Sequence, residues 1–392
     1  MKVALIALCR RGGTLKCAGR LAERLAQRAD TISIFSADAD QLLLPKGTPI
    51  LKVPTGGNRI GGIFHTLNPT SYIRIIRQVR AFHPDTVIFP VEHLWHLVLH
   101  ALLSDFPILQ TIHDPKRHLG AENRVYDFVR NVELAFSDRI VVLSAAFRDK
   151  FLRYGFLPHN VDVIPHGTLK FDEDVLPEGK IPPPPMKGRI LFCGTISRYK
   201  GIDVLLKAFT SVLAKHPDAS LILVGSGDLA PYAELLASAR NVTVINRYVN
   251  ECELAGLHAE CDFVVAPYVD ASQSGAVAVA LANGRTVVVT SAGGLKEQVQ
   301  HGITGLLVEP NDQAALANSI CQLLRSPDLV INLGQKAAEV YAEQYSWDKI
   351  ASEYLRACEL AKNQRQSVNS QRWGLVRSFR RAFQRFKSSA SE

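Results

Sequence analysis

Four segments between Ile190 and Pro310 share one form, an apolar run, a glycine turn and a helix-like stretch: FCGTISRYKGIDVLLKAF, LILVGSGDL, APYVDASQSGAVAVALANG and GGLKEQVQHGITGLLVEP. A strand, a glycine turn and a helix N-terminus bring unpaired backbone N–H groups and the positive end of a helix dipole to one point. Such a point suits phosphate, and four in succession suit a nucleotide diphosphate. In VGSGD the turn rests on Gly225 and Gly227, a weak signal alone and useful in register with its neighbours. RRGGT, after the opening apolar run, sets Gly12 and Gly13 where a backbone can approach phosphates closely. His113 and Asp114 end the run TIHD, with His118 four residues beyond, and Glu92 and His93 end the run before it in PVEHLWH. A lone strand-end histidine is more often a satisfied structural residue than a catalytic one.

Uninterrupted Val/Ile/Leu runs must position these turns. Over residues 1–170 the runs VALIAL, ISIFS, DTVIFPV, PILQTIH, RIVVLS and VDVIPH alternate with helical stretches, one of them Leu15 to Gln27. Apolar runs of this kind imply a parallel sheet covered on both faces. Residues 171–187 change composition, with four consecutive prolines at 182–185, and read as a stiff linker. A second alternating set, RILFCG, LILVG, VTVIN, FVVAP, TVVVT and GLLVE, fills residues 188–345. The fold class is therefore α/β, with two Rossmann-like parallel-sheet domains facing a cleft and ligands at the carboxyl ends of the strands. A helix over 346–365 and a basic amphipathic tail over 366–392 complete the chain.

Composition fits two domains: 392 residues, 47% of them hydrophobic, exceed one ordinary core. Seven cysteines are scattered without a CxxC pair or metal-ligand spacing, which points to reduced thiols. Asp38 and Asp40 spell DxD, but no partner acids stand near them in sequence, so surface carboxylates are the better reading and no catalytic metal is expected. The apolar run Val3–Cys9 is too short for a secretory signal and reads as a first strand. No stretch offers the roughly 18 apolar residues of a membrane span, so the protein is expected to be cytoplasmic, peripheral on the inner face of the plasma membrane.

The tail carries Arg372, Arg377, Arg380, Arg381, Arg385 and Lys387 against one acid, Glu392. Trp373, Val376, Phe379, Phe383 and Phe386 fall on one helix face among these cations. Segment 372–387 thus matches an interfacial helix on an anionic membrane, the alternatives being a helix docked on the first domain or a frayed basic tail. Outside it the chain is close to neutral and shows no nucleic-acid recognition motif.

The four units resemble the donor-binding half of retaining GT-B glycosyltransferases of family 4, and the resemblance extends more weakly over almost the whole chain. It implies a nucleotide-sugar donor, UDP- or GDP-linked, no cofactor, and a lipid-linked or oligosaccharide acceptor. Lys200 stands where the family grips the donor diphosphate; Thr195 stands where it usually has arginine, and Arg198 is close enough in sequence to replace that charge. A fixed ammonium there stabilises the departing diphosphate in the transition state, while the plain alternative is a solvated lysine at the start of an exposed helix. The family's two glutamates, eight positions apart, fall on Ala271 and Val279, so both carboxylates are absent.

QSG followed by a small apolar helix resembles a variant of exopolysaccharide and lipopolysaccharide glycosyltransferases. In it Ser274 and the amides of Gly275 and Ala276 would cap the diphosphate, Ser274 being otherwise an ordinary N-cap. Glu297, in the family's GG-x-x-E pattern, would bind sugar or ribose or else satisfy its own turn; Tyr248 and Val249 mark the nucleobase loop. In related enzymes the histidine of TIHD faces the transferred sugar, which assigns His113 there, and Glu92 and His93 would line the acceptor side. The losses at Thr195, Ala271 and Val279 keep a catalytically silent scaffold subunit in view, and the shared fold keeps a nucleotide-sugar 2-epimerase.

Overall fold

The computed structural model describes residues 1–56, 65–66, 68–114, 124–154, 156–172, 175–176 and 180–367. The described residues form two compact units, 1–114 with 124–165 and 347–367 in one, His166–Ser346 in the other. Segment 372–387, its aromatic and basic residues, and His118 lie outside the described residues.

The first unit is built on β1 (Lys2–Ala7), β2 (Asp30–Ser36), β3 (Ile50–Val53), β4 (Thr86–Phe89), β5 (Ile108–Ile112), β6 (Arg139–Val142) and β7 (Val161–Val163). These pair in parallel in the order β3-β2-β1-β4-β5-β6-β7. Helices α1 (Gly13–Ala26), α2 (Pro69–Phe82), α3 (His96–Leu102) and α4 (Arg124–Phe136) connect them. Leu15, Ala18, Leu21, Ala22 and Leu25 make the stripe that buries α1 against β1. The sequence reading missed β3, a four-residue edge strand with Lys52 exposed, because a short half-buried strand carries no continuous apolar run.

The second unit holds β8 (Arg189–Cys193), β9 (Ser220–Val224), β10 (Val242–Ile245), β11 (Phe263–Ala266), β12 (Val287–Thr290) and β13 (Leu306–Val308). All are parallel, in the order β10-β9-β8-β11-β12-β13. Helices α5 (Ile202–Leu213), α6 (Ala233–Ser238), α7 (Glu251–Glu260), α8 (Gly275–Ala282), α9 (Leu295–Gln298), α10 (Gln313–Arg325) and α11 (Pro327–Gln344) lie between and after the strands. The proline-rich segment is strapped to this unit: Arg285 donates to the Pro182 carbonyl at 2.6 Å, and Asn283 holds Leu169 O and Phe171 N, each at 3.0 Å.

The last described helix, α12 (Trp347–Ser367), belongs to the first unit. Ile350, Ala351, Tyr354, Ala357 and Cys358 enter the core formed by β1 and α1. Polar contacts fix its position along the sheet: Tyr354 Oη lies 2.9 Å from Thr111 Oγ1, and Lys362 pairs with Asp85 at 2.8 Å. No described helix is long and apolar enough to cross a membrane.

In each sheet the strand order reverses once near the middle, between β1 and β4 in one and between β8 and β11 in the other. Loops leaving adjacent strands in opposite directions open a crevice at that point, the usual place for a ligand in an open α/β sheet. The turns singled out in the sequence sit there, Gly12–Gly13 and Glu92–His93 in the first unit, 194–201 and 267–275 in the second.

Candidate functional site

In the second unit β8 ends at Cys193 and the chain passes through Gly194 into the tight helical turn Arg198–Lys200. Thr195 and Arg198 are exposed. Lys200 is not: it is 8% exposed, against the expectation of a lysine on an exposed helix start. The cause is the approach of two loops. Gly201 adopts φ 66°, and a Cβ there would overlap the Pro267 carbonyl oxygen, so the backbone of one turn lies directly on the other. Val269 N then donates to Tyr199 O at 2.8 Å. Zipped this way, the turn after β8 carries the Lys200 ammonium to 3.6 Å from the Tyr268 ring centroid and 4.8 Å from that of Tyr199.

Tyr268 is fully buried, and its hydroxyl lies 3.1 Å from Ser274 Oγ. Ser274 is the N-cap of α8, its Oγ accepting from Val277 N at 3.3 Å. Gln298 grips the same residue from the other side: Ser274 N donates to Gln298 Oε1 at 2.8 Å, and Gln298 Nε2 donates to Ser274 O at 3.2 Å. The Ser274 side chain is thus engaged in capping, and the open part of the turn is Gly275, with nothing within 4 Å of where a Cβ would be, and half-buried Ala276. Ala271 and Val279, the positions of the missing carboxylates, are buried.

The remaining expected donor residues follow other strands of the same sheet. Gly225 follows β9 with φ 146°, and a Cβ there would overlap the Gly194 carbonyl oxygen, so close approach of two strand-end turns accounts for glycine at this position. Glu297 is exposed on α9, and its backbone carbonyl accepts from Tyr345 Oη at 3.4 Å, while its neighbour Gln298 turns inward. Tyr248 is exposed after β10 with half-buried Val249 beside it. Just beyond them, Asn250 and Glu253 form a capping box at the start of α7 and Arg247 pairs with Glu253 at 2.6 Å.

The first unit holds a second group. Gly12 caps α1, and Gly12 and Gly13 both face open space. Beyond β4, Glu92 accepts from Arg130 Nε at 3.2 Å; burial raises its carboxyl above the ordinary range, and the Arg130 charge opposes that rise. Burial holds His93 down to about 3, helped by the neighbouring His96. His96 itself is held down to about 3 by burial, and its Nδ1 lies 2.5 Å from Glu133 Oε1, whose carboxyl burial pushes up to about 8. His113 closes β5 with its Nε2 2.9 Å from Pro90 O, which ties the ring to the end of β4.

Asp38 is structural: its Oδ2 accepts from Thr55 N at 2.8 Å and Gly56 N at 2.7 Å, holding the loop after β3. Among the described residues no group of three or more His, Cys, Asp or Glu is placed to hold a metal ion. Sequence reasoning passed over Tyr268, Gln298, Arg130, His96 and Glu133. Tyr268 carried a signal, standing directly after the apolar run FVVAP; the others act through contacts made only in the folded chain.

Two family models match the chain, Glycosyltransferase Family 4 over residues 11–168 and Glycosyl transferases group 1 over residues 187–326. An uncharacterized glycosyltransferase of Methanocaldococcus jannaschii is 36% identical over 44% of this chain and 45% of its own length. The D-inositol 3-phosphate glycosyltransferase of Pseudarthrobacter chlorophenolicus is 26% identical over 78% of this chain and 76% of its own length. The chain thus spans less than half of the first relative and about three quarters of the second. Among solved structures, Anabaena HepE in complex with UDP and glucose superposes with a TM-score of 0.68, at 18% identity, over 92% of this chain and 100% of that one, a likeness of fold. Glycosyltransferase families account for both alternating halves, and the protein belongs to the glycosyltransferases of the GT-B fold.

Proposed function

We propose that the protein is a retaining glycosyltransferase that moves a sugar from a nucleotide-diphosphate sugar to a saccharide or lipid-linked acceptor in bacterial polysaccharide assembly. The observation that carries this reading is the meeting of the Lys200 ammonium and the N-terminus of α8, joined through Tyr268, at the switch point of the second sheet. A diphosphate leaving the sugar gathers negative charge on its outer phosphate, and an ammonium and helix-end amides fixed beforehand stabilise that charge as it develops. In a front-face displacement the bond from the anomeric carbon to the phosphate oxygen breaks as the acceptor oxygen bonds to the same face. The acceptor proton passes to the departing phosphate, so no separate protein base is needed.

The other assignments follow the family resemblance. Arg198 lies beside Lys200 in sequence for the diphosphate, Gly275 and Ala276 would offer amides, and Tyr248, Val249 and Glu297 would serve base, ribose or sugar. His113 is assigned to the transferred sugar, and Glu92 and His93 to the acceptor side. Lys200 and helix dipoles would take the charge-stabilising role that a metal has elsewhere. The HepE complex with UDP and glucose makes a UDP-sugar the first donor to test. The protein would act on the inner face of the plasma membrane, held there by segment 372–387.

Thermal shift with UDP, GDP and ADP tests the donor reading, since a ligand at 100 times its Kd stabilises by about 2.7 kcal/mol. Transfer from the corresponding radiolabelled sugar to a lipid-linked acceptor, with the anomeric configuration read by NMR, tests the rest. The exposed Thr195 and the buried Ala271 and Val279 favour one second reading, a silent scaffold subunit. No stabilisation by any of the three nucleotides would support it.

A further inference from the structure

We propose that Tyr268 is the positioning residue of the donor site, holding the Lys200 ammonium and the first turn of α8 in one arrangement toward a nucleoside diphosphate. This rests on the reading of Lys200 as the diphosphate grip.

Three contacts fix the tyrosine. Its carbonyl accepts from Thr290 Oγ1 on β12, its hydroxyl meets Ser274 Oγ at 3.1 Å, and its ring meets that of Tyr199 edge to face, with centroids 6.4 Å apart. The ring therefore lies between the turn after β8 and the start of α8, and the residue's backbone is tied to β12. The ring, unlike a carboxylate, attracts an ammonium through its quadrupole without neutralising it. With Nζ 3.6 Å from its centroid, Lys200 has lost much of its side-chain freedom before an anion arrives. The hydroxyl links this cation to the cap that orients the α8 amides, and Gln298 fixes the cap from behind. One side chain thereby sets the distance between the two positive elements of the site.

The test measures UDP and uridine affinity by calorimetry, with GDP and guanosine where UDP does not bind, for the wild type, Tyr268→Leu, Lys200→Met and the double variant. Tyr268→Leu should weaken the diphosphate by about three- to thirty-fold, the span of cation–π contacts from exposed to desolvated, and leave the nucleoside unchanged. In the Lys200→Met background the same change should cost less than about twofold, because a residue acting through Lys200 has nothing left to position. Undiminished diphosphate affinity in Tyr268→Leu, or an equal loss in both backgrounds, overturns the proposal. Should Tyr268→Leu fail to fold, fluorinated phenylalanines at 268 keep the shape and drain the ring face. Affinity should then fall with each fluorine, and a flat series overturns the proposal. A wild type that binds neither UDP nor GDP brings down the donor reading and this inference together; a wild type that binds, with indifferent Tyr268 variants, brings down this inference alone.

Discussion

His96 Nδ1 lies 2.5 Å from Glu133 Oε1, with neither side chain exposed to solvent. Burial pushes Glu133 up to about 8 and holds His96 down to about 3, so near neutral pH the pair is an uncharged acid against an uncharged imidazole. From the ordinary 4.5 up to about 8 the folded chain keeps a proton on Glu133 that the unfolded chain has released, so stability falls as pH rises through that window. The slope is at most about 1.4 kcal/mol per pH unit. The buried histidines 93, 96 and 258, all held near 3, act in the other direction: the unfolded chain takes up protons below 6.5 that the folded chain refuses, so stability falls as pH drops. Glu133→Gln removes its own share of the alkaline limb and leaves that of Glu92, whose carboxyl burial also raises. Between about pH 6 and about pH 8 the urea midpoint should fall more in the wild type than in the variant, and equal pH profiles would show that Glu133 is ionised in the folded chain.

Lys200 is buried beneath two tyrosines, so methionine, which keeps its volume, is the informative substitution. Lys200→Met should lower turnover by about two orders of magnitude, the cost of losing one preorganised charge stabiliser. Its melting temperature should stay within a few degrees of wild type. Near-normal turnover in steady-state kinetics would remove Lys200 from the diphosphate grip.

For His113, alanine should abolish transfer and leave nucleotide affinity within a few-fold. It also deletes the contact with Pro90 O, so a stability loss of about 1 kcal/mol is expected alongside. A collapse of nucleotide affinity in the calorimeter, or loss of the folded state, would make the histidine a structural tie between β4 and β5.

Arg285 is 1% exposed and donates to three carbonyls, His258 at 2.7 Å, Pro182 at 2.6 Å and Ala259 at 3.3 Å. Arg285→Ala strips a donor from the buried His258 carbonyl and opens a cavity, so urea denaturation should show a loss of about 3 kcal/mol or more. Protease cleavage near the four prolines should quicken as the strap loosens. An unchanged cleavage rate would mean that other contacts hold the segment.

Truncation after Gln366 removes Trp373, Phe379, Phe383, Phe386 and the surrounding arginines. Each cation near an anionic surface adds about 1 kcal/mol of attraction, which salt screens over a Debye length of about 10 Å at 0.1 M. The full chain should sediment with anionic vesicles at low salt and less so at high salt, and the truncated chain should stay in the supernatant with activity on a soluble acceptor intact. Sedimentation of the truncated chain would refute the membrane role of the tail.

Both sheets were legible because their central strands are continuous apolar runs. Burial on two faces leaves such strands no other composition. β3 was not, since an edge strand need satisfy one neighbour only. The glycine turns were legible as turns, but the packing of Gly225 against Gly194 was not, being a contact between loops separated by an entire strand and helix. Sequence spacing sets Lys200 at a helix start, where it stands, but not its burial, because the loop after β11 covers it.

The chain alone determined the strand-turn-helix alternation and the glycine turns, because local propensity and burial periodicity act over a few residues; the positions of the missing carboxylates came from the family resemblance. Only tertiary structure decided what surrounds each charge. It set Tyr268 against Lys200, Gln298 behind Ser274 and Glu133 against His96, and drew α12 into the first core. The free energy of a buried charge or polar atom depends on the atoms within a few ångströms of it, and those come from segments that the sequence holds far apart.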